Sequence, residues 1–423
     1  MQNVAPHILL AAYQCGPGKG SVSQIGWEWY SRLARRQPTT LVTHVRNRDL
    51  INQTGAPWGG PEIIYIDTEW FAGPLYRLAV KLFPKSEHSV FLISSLDYFV
   101  HDYEAVKLLK RRLRQGERWD VVHVVTPVST AAPTRLYQLG FPVVMGPLNA
   151  GMGTPAAFRQ TLRGDSTWLY PIRYLGRLAD WVIGSTRHAA LLLTATRATL
   201  ESIPARYRSR SVQMLENGVD LNRFTATCWP DPPSLNNPLK ILFVGRLIPA
   251  KALPLLFQAI VEVRREFPVE LTVVGDGPME QEWKQKALAL GLEREVFFAG
   301  GLSLDQVAEH MRAAHVFCLP SVRESGGAVL LEAMASAKPV IAVAFGGPAE
   351  IVDEGVGRAI APDGPDAVTA GFANALRDVF RNPDRWRQRG LEGRRRAEQQ
   401  FCWDAKITAA IQLYQQVMKQ VMK

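Results

Sequence analysis

Residues 316–332 read VFCLPSVRESGGAVLLE. The first four, VFCL, are a short apolar run of strand type. Residues 320–327 form a polar turn containing two glycines. From Ala328 the pattern AVLLEAMASA is helical, and it stops at Lys338-Pro339. Strand, loop and helix in that order are the repeating unit of an α/β fold. Ligands of such sheets lie beyond the carboxyl ends of the strands, where helix N-termini point. The loop delivers one carboxylate, Glu324, and two glycines, Gly326 and Gly327. Glycines let backbone N–H groups approach a phosphate closely, and the helix dipole favours the negative charge. Glu332, on the helix, offers a second carboxylate, suited to neutral hydroxyls such as those of a ribose.

The rest of the chain repeats this unit. Strands are expected at residues 7–13, 40–44, 62–66, 120–126, 141–145 and 181–185 in the first half. In the second half they are expected at 240–244, 271–274, 296–298, 316–319 and 339–343. Helical stretches alternate with them, among them 98–115 and 187–202. Between the halves, residues 225–238 (TATCWPDPPSLNNP) are rich in proline and polar residues and read as a linker. The expected division is a first domain over 1–224, a linker over 225–238, a second domain over 239–398 and a C-terminal helix over 399–423. With 423 residues, more than one core is required in any case.

The net charge of +10 favours anionic partners: nucleotide phosphates, a membrane surface or nucleic acid. The basic residues are dispersed and no nucleic-acid motif accompanies them, so a nucleic-acid role is not expected. The four cysteines (Cys15, Cys228, Cys318 and Cys402) are scattered and lack metal-type spacing, as in a reduced cytoplasmic protein. No apolar run is long enough to span a bilayer. Residues 70–84 (WFAGPLYRLAVKLFP) mix aromatic, aliphatic and basic side chains. On the helix at 98–115, Lys107, Arg111 and Arg114 form one stripe, which suits either a solvated face or an anionic lipid surface.

Three further sets of residues attract attention. The glycine-rich turn CGPGKGSVSQIG holds Gly18, Lys19 and Gly20 between a strand and a helix, a phosphate-approach geometry that is neither a Walker loop nor a dinucleotide fingerprint. Arg246 stands just past the strand at 240–244, with Lys251 near the start of the next helix; two cations flanking such a loop suit a diphosphate. His123 is the one polar residue in the middle of an apolar strand.

The window ESGGAVLLEAMASAKPVIA, with Glu324 and Glu332 separated by seven residues, resembles the E-x7-E signature of the retaining glycosyltransferases of family 4. VGRLIPAK at 244–251 resembles the family's cationic loop. GPGKGS…GWEW and GPLNAG resemble one bacterial subgroup. The resemblance implies a GT-B fold, two Rossmann-like doubly wound α/β domains facing across a cleft, with a last helix that returns to the first domain. It implies transfer of a sugar from a nucleoside-diphosphate sugar, a co-substrate rather than a cofactor, to a glycan, lipid-linked or other hydroxyl acceptor. The implied catalytic residues are Glu324, Arg246 and Lys251, with His123 standing where many members carry a His-x-His. The implied donor-binding residues are Gly245, Arg246, Lys251, Gly275, Gly301, Leu302, Glu324, Ser325, Gly326, Gly327, Ala328 and Glu332. Gly18, Lys19, Gly20 and Asn149 would line the acceptor side. No D-x-D motif is present and no metal is expected. Docking on the inner face of the cell membrane is a family habit. The alternatives are a glycosidase using the two glutamates, an epimerase of the same architecture, and a non-catalytic nucleotide-sugar-binding protein.

Overall fold

The computed structural model describes residues 5–18, 20–54, 62–84, 90, 93–150, 153, 155–158 and 170–421. Its contacts divide the chain into two compact units. One comprises 1–151, 168–216 and 407–423; the other comprises 152–167 and 217–406.

The first unit holds strands β1 (Ile8–Ala12), β2 (Thr39–His44), β3 (Ile63–Ile66), β4 (Val121–Thr126), β5 (Val143–Leu148), β6 (Leu191–Thr194) and β7 (Ser211–Gln213). They form one sheet in the order β3-β2-β1-β4-β5-β6-β7, and every pairing is parallel. β1, β2, β4, β5 and β6 are buried along their whole length, the expected state of parallel strands covered on both faces. The order reverses between β1 and β4, and a ligand crevice of a doubly wound sheet opens at such a reversal.

The second unit holds β8 (Leu239–Val244), β9 (Val269–Val274), β10 (Val296–Gly300), β11 (Val316–Leu319), β12 (Val340–Val343) and β13 (Gly357–Ile360). Their order is β10-β9-β8-β11-β12-β13, again all parallel. This is the Rossmann order, with its reversal between β8 and β11. The helix Leu253–Val263 buries Leu253, Leu256, Phe257, Ala259, Ile260 and Val263. Each large apolar side chain so buried contributes about 1.5–3 kcal/mol.

Two expectations require correction. A strand was expected at 181–185 and a helix at 187–202. Instead the helix Tyr170–Ile183 runs through Trp181 and Val182, which lie exposed on its last turn. Gly184 ends it in the left-handed region, with φ 85°, and the strand is the fully buried LLLT of β6. Only LLLT can occupy a central strand, because WVI keeps two large side chains in water.

Residues 225–238, read above as a linker, are held to the second unit by hydrogen bonds. The Trp229 indole donates to the carbonyl of His315 (2.9 Å), and Nε2 of His315 donates to the carbonyl of Asp231 (2.9 Å). The other ring nitrogen of His315 accepts from the amide of Lys240 (2.9 Å). This stretch is therefore pinned to the second unit, and the division between units falls after Glu216. The C-terminal helix Trp403–Val421 is likewise divided: residues up to 406 group with the second unit, and those from 407 group with the first. No helix among the described residues is long and apolar enough to cross a membrane.

Candidate functional site

The carboxyl edge of the second sheet gathers most of the residues singled out above. Past β8, the amide of Gly245 donates to the carbonyl of Val274 (3.0 Å); past β9, the amide of Gly275 donates to the carbonyl of Gly300 (2.8 Å). The loops following three adjacent strands are thus drawn together. Gly275 has φ +131°, and a Cβ there would stand 2.0 Å from the Gly245 carbonyl oxygen, so no other residue permits this approach. Gly301 and Leu302 follow on the neighbouring loop, and a Cβ on Gly301 would stand 2.7 Å from the Asp276 carboxylate.

Arg246 is exposed at the tip of the β8 loop. The chain then makes a 3₁₀ turn, Pro249–Lys251, and enters the helix Leu253–Val263 through Ala252, whose φ is +46°. The amide of Val322 donates to the carbonyl of Ala250 (3.0 Å), which fastens this turn to the loop after β11. Across that join Nζ of Lys251 donates to a carboxylate oxygen of Glu324 as an ion pair, each side chain 15% exposed. The family resemblance implies that both groups are catalytic and donor-binding; in the structure they also hold each other.

Glu324 is fixed from a second side. Its carbonyl accepts from the amide of Gly347 (3.0 Å), and it bridges to Gly346 on the loop after β12. A Cβ on Gly347 would stand 2.4 Å from the Ser325 carbonyl oxygen. Gly346 and Gly347 thus support the loop from beneath, a role carried by the AFGGP stretch of the sequence. Gly326 is buried. Gly327, with φ +56°, caps the helix Ala328–Ala335 without a side chain of its own, which leaves the first amides of that helix to a ligand. Glu332 lies on this helix and is half-buried. Burial pushes its pKa up to about 7, against the lowering influence of the Arg223 charge. A carboxylate so placed is suited to hydroxyl donors from a ligand.

The first unit distributes its candidates differently. Gly18, with φ +71°, donates its amide to the side chain of Gln24 (2.8 Å), and Gly20 opens the helix Gly20–Leu33. Lys19 lies outside the described residues. A Cβ on Gly26 would stand 2.1 Å from the Gln14 carbonyl, so that glycine seats the helix on the loop. The Asn149 amide side chain donates to Glu216 (2.9 Å).

His123 does not belong to an open site. It is fully buried; its Nε2 donates to the Gly146 carbonyl (2.7 Å), and its Nδ1 accepts from the Tyr414 hydroxyl (2.6 Å). The Trp29 ring meets it edge-on at 4.8 Å. Burial lowers its pKa to about 4. Both nitrogens are occupied, and it is a neutral core histidine.

A group absent from the sequence reading surrounds Asp97, which is fully buried. Tyr13 donates to it (2.8 Å), Thr68 donates to it (2.6 Å), and Nε2 of His44 lies 3.3 Å away. Burial raises its pKa, but these hydrogen bonds outweigh burial and hold it below the ordinary carboxylate range. No local motif announces Asp97; its partners are Tyr13 just after β1, His44 at the end of β2 and Thr68 just before the helix Glu69–Leu82. Beside this group a cavity of about 840 Å³ opens at the ends of β1, β2 and β4.

Residues 230–392 match the family described as glycosyl transferases group 1. A D-inositol 3-phosphate glycosyltransferase from Kineococcus radiotolerans is 35% identical over 194 residues, 42% of this chain and 44% of that protein. The chain thus spans less than half the length of this relative. A GDP-mannose-dependent alpha-(1-6)-phosphatidylinositol monomannoside mannosyltransferase from Mycolicibacterium smegmatis is 29% identical over 284 residues, 62% of this chain and 70% of that one. Among solved structures, the Anabaena protein HepE, crystallised with UDP-glucose, superposes with a TM-score of 0.59 over 99% of both chains at 17% identity. That likeness shows the fold, which is GT-B.

Proposed function

We propose that this protein is a retaining hexosyltransferase of glycosyltransferase family 4, using a nucleoside-diphosphate sugar. The observation that carries the reading is the Lys251–Glu324 ion pair, set with Arg246 among the glycine-bearing loops at the carboxyl edge of the second sheet. The match over residues 230–392 covers all of these residues. HepE, of the same fold, was crystallised with UDP-glucose.

In this reading Arg246 and Lys251 neutralise the charge that grows on the leaving diphosphate, and the amides around Gly326–Ala328 add to them. Preset donors of this kind typically contribute about 3–4 kcal/mol each to the transition state. Glu324 orients the hydroxyls of the transferred sugar, and Glu332 accepts the ribose hydroxyls. The bond from the anomeric carbon to the diphosphate breaks as the acceptor oxygen bonds to the same face of that carbon. The leaving phosphate oxygen takes the acceptor's proton. The cationic pair carries the charge that a metal ion carries in other glycosyltransferases, and no cofactor is needed.

The acceptor is a glycan, a lipid-linked sugar or another hydroxyl compound of cell-surface polysaccharide or glycolipid synthesis. A cytoplasmic protein attached to the inner face of the cell membrane fits this role. That attachment is supported by exposed Trp70 on one helix and by Leu178, Trp181 and Val182 on another, beside Arg77, Lys81 and Arg177.

A thermal-shift panel with UDP, GDP, ADP and TDP tests the donor site. One diphosphate at about 100 times its Kd should add roughly 2.7 kcal/mol, a shift of several degrees. The shift should vanish in Arg246→Ala and Glu332→Ala. No shift with any of the four would overturn the donor-site reading. Conversion of a free sugar nucleotide without an acceptor would assign an epimerase instead.

A further inference from the structure

The cavity at the ends of β1, β2 and β4 differs in character along its length. Tyr13 and Gln14 directly follow β1, Arg46 lies two residues past β2, and Pro127 follows β4. Beyond these the walls come from the helix Glu69–Leu82 (Tyr76 and Val80), from Phe83 just after it, and from Tyr98 and Phe99 on the helix Asp97–Arg114. The strand end is polar and the helix end is apolar.

The charges at the polar end are already balanced. Arg46 forms an ion pair with Glu69 and stands 3.7 Å from Asp97; Tyr13 donates its hydroxyl to Asp97. What remains is neutral. The Ser94 hydroxyl is buried with no hydrogen-bond partner among the described residues, and the Gln14 side chain lines the same cavity. An enclosed hydroxyl without a partner costs about 1–3 kcal/mol until something bonds to it. Ligand hydroxyls, which both donate and accept, satisfy such groups.

The apolar end calls for a different kind of matter. A free sugar is hydroxylated all round and requires polar partners all round, whereas this cavity supplies them at one end. Its apolar wall also continues outward: Tyr76 and Val80 are 55% and 40% exposed, and Leu78 and Leu82 on the same helix are exposed as well.

We propose that this cavity binds the acceptor, and that the acceptor is an amphiphile: a hydroxyl-bearing head group at Gln14 and Ser94, with a hydrocarbon chain along Tyr76, Val80, Phe83 and Phe99. The word acceptor rests on the glycosyltransferase reading; the amphiphile rests on the cavity.

The test is calorimetric binding of n-alkyl glucosides from methyl to octyl, each below its micelle concentration, to the full chain. Affinity should rise roughly fourfold per methylene as the chain enters the cavity. In Val80→Asp and Tyr76→Asp, whose parent side chains are partly in water, the gain per methylene should disappear while the nucleoside-diphosphate thermal shift stays. Affinity independent of chain length overturns the proposal, and so does a chain-length gain unchanged in both variants. A chain-length gain in a protein that shows no diphosphate shift removes the acceptor assignment. An intact diphosphate shift without a chain-length gain removes the amphiphile and leaves the donor reading standing.

Discussion

Lys251 and Glu324 stand 73 positions apart in the chain and meet as an ion pair over the carboxyl edge of the second sheet. The pairing fixes two groups of opposite charge before any ligand arrives. A lysine on its flexible stem would otherwise lose rotamer freedom on binding a diphosphate, and the carboxylate keeps it in place. Removing either partner leaves the other largely buried and unpaired. Lys251→Ala and Glu324→Ala should each lower stability by about 1–3 kcal/mol, read by urea denaturation. The double variant should cost less than the sum of the two, and a coupling near zero would contradict the pairing. In a transferase assay Lys251→Ala should lower kcat by about 10²–10³-fold.

Glu332 would connect the proposed donor binding to pH. Its folded pKa, near 7, lies above the ordinary carboxylate value because burial disfavours the charge. A raised folded pKa means that its contribution to stability is fully present below the unfolded value and is lost as pH rises through about 7. Glu332→Gln should therefore gain on the parent between roughly pH 4.5 and 7 in denaturant titrations. If the ionised carboxylate takes the ribose hydroxyls, affinity for the nucleoside diphosphate should climb through pH 7 and level off. Calorimetry on Glu332→Gln, or with a dideoxyribose nucleotide, should show no such climb.

His123 and Tyr414 give a second pH effect with the opposite sign. Burial depresses the His123 pKa to about 4, and that of His101 to about 3, below the ordinary value near 6.5. Depressed histidines contribute stability above pH 6.5 that is lost as pH falls toward 4, because the unfolded chain takes up the protons first. His123→Leu should flatten part of that loss in an acid titration followed by circular dichroism. Tyr414→Phe deprives Nδ1 of its donor and should cost about 1–3 kcal/mol. It should leave the pH profile of transfer unmoved; a displaced profile would return His123 to the chemistry.

Gly275 and Gly18 both have positive φ and should respond unequally to alanine. At Gly275 the added methyl meets the Gly245 carbonyl at 2.0 Å, while at Gly18 it meets nothing within 4 Å. Gly18→Ala should cost about 1 kcal/mol from backbone strain alone. Gly275→Ala should cost more than about 2 kcal/mol and should also abolish the diphosphate thermal shift, because it parts the two loops.

Trp181 should report on the proposed membrane attachment. It is 75% exposed on the last turn of its helix. Sedimentation with vesicles containing anionic lipid should pull down the parent chain. Trp181→Ser combined with Arg177→Gln should weaken the association several-fold, and added salt should weaken both.

Local pattern was enough for the elements and their order. VFCL followed by a glycine turn and AVLLEAMA specifies strand, loop and helix, because apolar spacing of two or 3.6 residues is a property of neighbours in the chain. The repetition of that unit determined two parallel α/β sheets, and the glycines and cations at 245–251 and 324–327 follow strands of the second sheet at its carboxyl edge. Where local signals conflicted, tertiary burial decided. WVIGS and LLLT are both short and apolar, and only the sheet's need for a fully buried strand selects LLLT. The proline-rich stretch at 225–238 lacks periodicity, and its attachment through Trp229 and His315 joins positions 86 residues apart. The same holds for His123 with Tyr414, for Tyr13 with Asp97, and for Lys251 with Glu324. Lys251 and Glu324 meet because parallel strands return the chain to the same edge after each crossover. Which side chains then face one another is set by sheet order and loop packing, quantities that no window of the sequence contains.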